Sequence, residues 1–241
     1  MMIQKEDVID FYNNIETIWD TEDKWHLYTK KRIHTFIQRT LKKTIDYSSD
    51  LEVLNAGSAG YSYGLSEDNI LHIDIANLKI AHLKNSIIGD IQQMPINKKT
   101  FDIIICVGSV LNYCDAMKVF SEFDRVLKEN GYIILEFENS KTLEIFGKPP
   151  YNKKATIVET FYKGKGEKLW LFSEKYIDEL ANLYNFKIIQ KERFHILSPL
   201  VYRITKKEHI AAKFSFFDNV LSFLPFLGKN SSNIILLLNK I

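Results

Sequence analysis

The stretch Leu51-Glu-Val-Leu-Asn-Ala-Gly-Ser-Ala-Gly-Tyr-Ser-Tyr-Gly64 decides the fold. In it, a short apolar strand runs directly into a turn of small residues. Gly57 and Gly60 can adopt positive φ and carry no Cβ, so the backbone can turn sharply at the end of the strand and approach a ligand closely. A second predicted strand ends in Asp74, roughly 20 residues after the glycine turn, which is the usual offset of an acid that binds a ribose diol. The stretch therefore predicts a nucleotide-type cofactor at the carboxyl end of a sheet.

The glycine spacing narrows the choice of cofactor. A dinucleotide fingerprint reads G-x-G-x-x-G, whereas here the pattern is Gly57-x-x-Gly60-x-x-x-Gly64 and Ala59 fills the middle position. No G-K-S/T follows, which excludes a P-loop. A nicotinamide-dependent oxidoreductase is an alternative that this spacing disfavours.

Strands and helices alternate between residues 51 and 138, and the strands are almost continuously apolar. Such strands are typical of a parallel sheet that is covered on both faces. We predict strands at 51–55, 70–75, 86–89, 101–107, 132–138, 186–195 and 233–239, and a helix at 115–129 that ends at Gly131. The predicted fold class is α/β, with a doubly wound, mainly parallel, seven-stranded, Rossmann-like sheet.

A chain of 241 residues, 46% of them hydrophobic, can bury one sizeable core. We expect a single domain, 1–241, with three additions to the sheet. Helical spacing over 4–19 and about 26–44 predicts an N-terminal helical lid, 1–45. Alternating residues on both sides of a turn at 163–167 predict a hairpin insert at 155–172, and residues 196–230 form a C-terminal helical insert.

Four features follow one another along the chain: the glycine turn, Asp74, a Gly-Asp pair at 89–90, and the strand 101–107 with a small-residue turn after it. This series resembles the cofactor motifs of class I S-adenosylmethionine-dependent methyltransferases. The resemblance implies S-adenosylmethionine as the cofactor and an antiparallel last strand in the sheet. It implies these cofactor-binding residues: Asn55, Ala56, Gly57, Ser58 and Gly60 in the turn, Asp74 and Ile75 at the ribose, Asp90 and Ile91 at the adenine, and Val107 and Gly108 under the methyl donor.

Three residues depart from the pattern of that family. Asn55 stands where Asp is frequent, and Ala59 and Tyr61 stand where Gly is frequent. A non-catalytic S-adenosylmethionine-binding or interaction module that has kept the fold therefore stays open beside the enzyme. Bound cofactor without turnover on a broad panel of acceptors would favour the module.

Motifs that the sequence lacks limit the kinds of methyl acceptor to be expected. The Asn/Asp-Pro-Pro-Tyr tetrapeptide that binds planar amines in many relatives is replaced by Val107-Gly-Ser-Val110, and neither Cys106 nor Cys114 follows a proline. No cluster of His, Asp and Glu has metal-ligand spacing, so we expect no metal. We predict a small or medium-sized, partly apolar acceptor, enclosed by the three additions to the sheet.

The catalytic residue is left unassigned. Methyl transfer from a sulfonium is an in-line displacement, so alignment and desolvation can supply much of the acceleration. Tyr12, His26, Tyr113 and His195 are the candidates for contact with the acceptor, the two histidines by location only.

Charge and composition limit the partners and the location. A net charge of +2, from 32 basic and 30 acidic side chains, gives no basic face for nucleic acid. Few cysteines and an N-terminus without the layout of a signal peptide favour the cytoplasm, and no apolar run approaches the ~20 residues of a membrane span.

The stretch 214–224 predicts one amphipathic helix in the C-terminal insert. Its polar face would carry Ser215, Asp218, Asn219 and Ser222 rather than the Lys and Arg of a membrane-surface helix. We expect this helix to cover the mouth of the active site or to join a homodimer, and not to touch a membrane.

Overall fold

A seven-stranded sheet organises the protein, in a computed structural model that describes residues 3–48, 50–163 and 165–241. The strands are β1 (Val53–Ala56), β2 (Ile70–Asp74), β3 (Ser86–Ile88), β4 (Phe101–Cys106), β5 (Leu127–Glu138), β6 (Ala155–Tyr162), β7 (Lys165–Phe172), β8 (Phe186–Phe194) and β9 (Asn233–Lys240). The large sheet has the order β3-β2-β1-β4-β5-β9-β8. Its first five strands pair in parallel, and β9 runs antiparallel to both β5 and β8. The predicted fold class and its antiparallel last strand are confirmed.

Helices cover the sheet, and further helices lie near both ends of the chain. They are α1 (Lys5–Asn14), α2 (Lys24–Thr40), α3 (Asn77–Ile80), α4 (Ala116–Val126), α5 (Glu174–Leu183), α6 (Ser198–Thr205), α7 (Glu208–Ala211), α8 (Asp218–Leu221) and α9 (Pro225–Gly228). A π-helical turn, Leu41–Ile45, follows α2, and 3₁₀ turns lie at Val110–Tyr113, Leu143–Ile145 and Ala212–Phe217.

Both faces of the sheet are buried, which explains the continuous apolar strands. Ile104 of β4 packs in the same core as Phe120 and Phe123 of α4. Its neighbour Ile103 points to the opposite face and packs with Phe36 of α2. The alternation of side chains along one strand thus supplies two cores.

The junction of α4 and β5 differs from the prediction. The helix expected to run to residue 129 ends at Val126, and the strand begins at Leu127. Gly131 is not a helix stop but lies inside β5, where a Cβ would come within 2.7 Å of the Leu127 side chain. The glycine is needed because the irregular start of β5 folds Leu127 back against it.

Helix boundaries at the N-terminus also shift. The helix expected at 4–19 ends at Asn14, and residues 15–23 form a loop before α2. At 155–172 the chain forms β6 and β7, which pair antiparallel from Ala155 and Phe172 to Tyr162 and Lys165. Gly164, in the predicted turn, lies outside the described residues.

The C-terminal insert is the largest departure from the prediction. The single helix expected at 214–224 is wrong, because the chain there forms a 3₁₀ turn and then the short α8. The expected polar face is also wrong in part, since Ser215 and Asp218 are buried while Phe216 and Phe223 are exposed. Within the described residues, none of the helices has the length and apolarity that crossing a membrane would require.

Candidate functional site

A cavity of about 400 Å³ lies where the carboxyl ends of β1, β2 and β4 meet. The turn after β1, the end of β2 and the turn after β4 form its floor. The first residues of the chain that the structure describes, α1 and the loop after it cover it from above, and the ends of the hairpin close one side. Its lining includes Gly57, Ser58, Ala59, Asp74, Ile75, Gly89, Asp90, Ile91, Gln92, Val107, Gly108, Val110, Tyr12, Ile18, Trp19, Tyr113, Trp170 and Phe172.

The turn after β1 is fixed by its backbone. Gly57 has φ +73°, and its N–H donates to the Ile73 carbonyl at 2.8 Å. A Cβ on Gly57 would overlap the Val110 side chain. The two turns beneath the cavity can therefore touch only because residue 57 is glycine.

Asp74 joins two segments at the floor of the cavity. Its Oδ2 accepts from the Ala59 N–H at 2.7 Å, and its Oδ1 accepts from the Ala76 N–H at 2.8 Å. Burial raises the pKa of Asp74, and these backbone hydrogen bonds offset only part of that rise. A carboxylate offers about four lone-pair sites, so each oxygen keeps one for a ligand hydroxyl.

Asp90 is held by residues on both sides of the cavity. Its Oδ1 accepts from the Gln92 N–H at 2.9 Å, and its Oδ2 forms an ion pair with Lys5 Nζ at 3.0 Å. Burial by itself would raise the pKa of Asp90. The hydrogen bonds from Gln92 and Lys5 together lower it by more, so the pKa lies below its usual range. Because Lys5 belongs to α1, this ion pair fixes that helix over the cavity.

The turn after β4 depends on Glu136, which the sequence analysis missed. Its Oε2 accepts from the N–H groups of Gly108 at 2.9 Å and Ser109 at 2.7 Å, and its Oε1 accepts from Asn233 Nδ2 at 2.8 Å. Burial raises the pKa of this carboxyl. An acid in the middle of the apolar β5 was the available signal, because a buried carboxylate requires partners.

A chain of hydroxyls lies where α1, the turn after β4 and the hairpin meet. The Tyr12 hydroxyl donates to the Tyr113 hydroxyl at 3.1 Å, and that hydroxyl donates to Glu167 Oε2 at 2.6 Å. Burial raises the pKa of both Tyr113 and Glu167. Glu167 and Trp19 were missed because nothing local in the sequence brings the hairpin or the loop after α1 to this place.

A second cavity of about 590 Å³ adjoins the first. It lies between α1 and the hairpin, and Tyr12 and Tyr113 line both cavities. Two rings thus stand between the two spaces, in edge-to-face contact with centroids 5.7 Å apart.

Residues 56–135, which contain the turn, Asp74, Asp90 and most of β5, match the family model described as a methyltransferase domain. This part of the chain is therefore similar to a methyltransferase domain. An uncharacterized protein of Methanocaldococcus jannaschii is 31% identical over 58% of this chain and 66% of its own length. A demethylmenaquinone methyltransferase of Lactococcus lactis subsp. lactis is 27% identical over 60% of this chain and 63% of its own length. Each of these two matches thus spans just under two thirds of the relative.

Solved structures share the fold of the methyltransferase domain across nearly the whole chain. An S-adenosylmethionine-dependent methyltransferase from Clostridium acetobutylicum is 13% identical, with a TM-score of 0.54, over 98% of either chain. At this identity the similarity concerns the fold.

The cofactor of the methyltransferase domain is S-adenosylmethionine, as predicted, and the residues of the cavity fit it. Asp74 has free lone pairs for a ribose diol and is fixed by two backbone donors. The apolar Ile75 and Ile91 line the same cavity, so a flat adenine ring has walls to pack against. Val107 and Gly108 would hold the end that carries the methyl group.

The structure brings eight of the predicted cofactor residues to the cavity, namely Gly57, Ser58, Asp74, Ile75, Asp90, Ile91, Val107 and Gly108. Asn55, Ala56 and Gly60 do not line it. The Asn55 side chain instead donates to the Tyr61 carbonyl at 2.7 Å, which fixes the glycine turn from beneath. This contact explains one of the departures from the family pattern, because an Asp at position 55 could not donate to that carbonyl.

Of the four acceptor candidates, the two tyrosines line the cavity and the two histidines do not. His26 pairs with Asp23 at the start of α2, with 2.6 Å between Nδ1 and Oδ2. The expectation for His195 is corrected: the ring is buried, stacks on Trp25 and bonds Thr29 at 2.8 Å. Burial lowers the pKa of His195 well below its usual range, because the site is closed to water.

The predicted lid is narrower than 1–45, since α2 packs on the sheet and lines neither cavity. Residues 196–230 also contribute nothing to the lining of either cavity. In the part of the chain that the structure describes, no three His, Cys, Asp or Glu side chains are grouped so that they could hold a metal.

Proposed function

We propose that this protein transfers a methyl group from S-adenosylmethionine to a small, partly apolar molecule held between α1 and the hairpin. The observation that carries the proposal is the shared wall of the two cavities. Tyr12 and Tyr113 line the cofactor cavity on one side and the second cavity on the other. A molecule in the second cavity would therefore reach the methyl end of the cofactor at these two rings.

The lining of the second cavity matches such an acceptor. Apolar side chains of α1 and the hairpin, among them Val8, Phe11 and Phe161, stand beside the charged Glu159, Lys165 and Glu167. Most small-molecule sites combine apolar walls with a few polar groups that fix orientation. The cavity is enclosed by two separate segments, which favours a small molecule over a macromolecule.

When bound, S-adenosylmethionine supplies a methyl group on a sulfonium, which an oxygen, nitrogen or carbon nucleophile can attack. Tyr113 and Glu167 would handle the proton of an acceptor hydroxyl or amine. An acceptor hydroxyl or amine that replaces the Tyr12 hydroxyl as the donor to Tyr113 would pass its proton to the Tyr113 oxygen. The Tyr113 proton would move at the same time to Glu167. The raised pKa of Glu167, caused by burial, makes this carboxylate a better base than an exposed one.

The Lactococcus lactis relative supports an acceptor with apolar character. Its name gives demethylmenaquinone as its substrate. The walls of the second cavity in this chain contain aromatic rings. We therefore place phenolic and quinol-type molecules first among the acceptors to be tested.

The test is methyl transfer from radiolabelled S-adenosylmethionine to a panel of phenols, quinols, amines and carboxylic acids. With an active acceptor, Glu167→Gln and Tyr113→Phe should lower kcat about a hundredfold to ten-thousandfold, because each interrupts the proton path. Both variants should keep the wild-type affinity for S-adenosylhomocysteine, since neither residue is expected to hold the cofactor. Tight cofactor binding with no turnover on the whole panel would support the non-catalytic module instead.

A further inference from the structure

The C-terminal insert presents a group of apolar side chains to solvent. Phe216 is 82% exposed and Phe223 is 85% exposed, which is unusual for the largest apolar residues. We call the exposed members of residues 212–227 the apolar surface; they are Phe216, Phe217, Val220, Phe223, Leu224 and Phe226. Leaving them all in water is unfavourable, so a group of this kind marks an interaction site.

Two polar residues of the same segment, Ser215 and Asp218, are turned inward. Asp218 is fully buried, and its carboxylate accepts from the N–H groups of His195 at 2.6 Å and Ile196 at 3.0 Å. The Tyr28 hydroxyl donates to the same carboxylate at 3.1 Å. Ser215 is buried beside His195, with 3.3 Å between Oγ and Nδ1. These bonds fix the segment so that its apolar side chains point away from the protein.

The two cavities do not explain the apolar surface, because none of its residues lines either of them. Helix α2 and the end of β8 take the polar side of the segment. The apolar side therefore has no partner within the described part of this chain.

The exposed charges of the segment that carries the apolar surface, residues 206–229, are mostly positive. Lys206, Lys207, Lys213 and Lys229 are exposed, and none of them forms an ion pair with a described residue. Glu208 is the exposed acid of the same stretch. Exposed aromatic rings in the same segment as lysines that form no ion pair are the combination that anionic lipid surfaces attract.

We propose that the apolar surface docks on an anionic lipid membrane, with the phenylalanines inserted at the headgroup level and the lysines at the lipid phosphates. The sequence argued against lipid contact because the expected polar face, with Ser215, Asp218, Asn219 and Ser222, carried no Lys or Arg. The structure buries Ser215 and Asp218, so that face is not formed as expected. Docking would be peripheral and reversible, since it uses a few side chains and no spanning helix. It does not depend on methyl transfer, so it can fail while the proposed function holds.

The experiment is flotation of the full-length protein with two kinds of vesicle: phosphatidylcholine alone, and phosphatidylcholine with phosphatidylglycerol. We expect binding to the anionic vesicles that weakens as salt rises, because exposed charges are screened. The double variant Phe216→Ser/Phe223→Ser should lower the partition coefficient at least about tenfold, since two large apolar side chains are lost from the interface.

A matched control replaces two exposed leucines elsewhere, Leu78→Ser/Leu183→Ser, at 65% and 64% exposure. This control should bind the vesicles as the wild type does. All four substituted positions are exposed, and circular dichroism of each variant verifies that the fold is kept. Light scattering of wild type and variants tests whether a second copy of the chain covers the surface instead.

Three results would overturn the proposal. The first is a wild-type protein that floats with neither kind of vesicle at low salt. The second is equal binding by the phenylalanine variant and the leucine control. The third is a wild-type dimer that the phenylalanine substitutions convert to a monomer.

Discussion

At the scale of single residues, Asp74 shows how one side chain can both build a site and serve it. Its two oxygens already accept from the backbone of two segments, and the cavity offers their remaining lone pairs to a ligand. Hydrogen bonds to charged groups contribute about 1.5–3 kcal/mol each. The same carboxylate therefore orders the turn after β1 and keeps lone pairs with which it could accept from a ribose diol.

Replacing Asp74 with Ala should lower the affinity for S-adenosylhomocysteine about tenfold to a hundredfold, because charge-assisted bonds to the ribose are lost. Isothermal titration calorimetry measures the change. Asp68→Ala is the matched control, since Asp68 is exposed on the loop before β2 and does not line the cavity. Equal affinities for the two variants would show that the acid after β2 has been misassigned.

Glu138, at the end of β5, gives a pH-dependent contribution to stability. Burial and the nearby Glu136 raise the pKa of Glu138 from 4.5 to about 8. As the pH rises through this window, the unfolded chain releases the proton first, so the folded state loses stability relative to it. The contribution of the buried, protonated carboxyl to stability is fully present below about pH 4.5, the usual pKa, and is lost as the pH rises towards about 8.

The variant Glu138→Gln removes this titration. We expect its free energy of unfolding, relative to that of the wild type, to increase as the pH is raised from about 5 to about 8. Urea denaturation at several pH values measures this difference. If the difference between the two proteins is the same at every pH, Glu138 titrates normally in the folded state.

The sequence predicts the residues that line the first cavity better than those that lie between the two cavities. Asp74 and Asp90 come at strand ends, where topology alone brings them to one edge of the sheet. Glu167 reaches Tyr113 only because the hairpin folds over that edge, and no local pattern encodes this contact. His195 shows the opposite error: a position near the end of a strand was taken as a position near the site.

At the scale of elements, helix α5 illustrates a boundary that a single side chain sets. The Ser173 hydroxyl accepts from the Tyr176 N–H at 3.2 Å, in the geometry of an N-cap. Ser173→Ala should lower the free energy of unfolding by about 0.5–2 kcal/mol, because one N–H of the first turn loses its partner. Urea denaturation tests this against Ser48→Ala, a control at an exposed serine outside the helices. An equal loss of unfolding free energy in the control would show that the N-cap hydrogen bond is not the cause.

Element boundaries fail to follow from sequence where tertiary packing overrides local signals. Gly131 reads as a helix stop, yet it serves the packing of Leu127 inside β5. The sequence of 214–224 predicts one helix with a solvent-exposed polar face. In the structure, Asp218 instead accepts from two backbone N–H groups at the end of β8 and is buried. A steric clash decides the first case, and a contact between residues distant in sequence decides the second.

At the scale of the whole molecule, the sheet is buried on both faces, whereas the covering of the cofactor cavity buries few residues. Phe11 is the one residue of α1 that is buried, whereas α2 buries five, among them Ile33, Phe36 and Ile37. Helix α1 is held by the Lys5 ion pair with Asp90 and by a bond of 2.9 Å between the Asn13 and Asn77 side chains. Segments with few buried contacts open at the lowest free energies, so α1 is the part of the molecule that can admit a cofactor.

The corresponding prediction concerns amide hydrogen exchange in α1 with and without S-adenosylhomocysteine. Val8 and Tyr12 of this helix line the cofactor cavity, so a bound ligand would lose its contacts with these residues when α1 opens. With free ligand at about 100 times its Kd, exchange in α1 should slow by up to about a hundredfold. Helix α2 is the internal control, because it lines neither cavity and packs on the sheet. Equal slowing in α1 and α2 would mean that the ligand stabilises the molecule globally, and α1 would then not be the element that opens over the site.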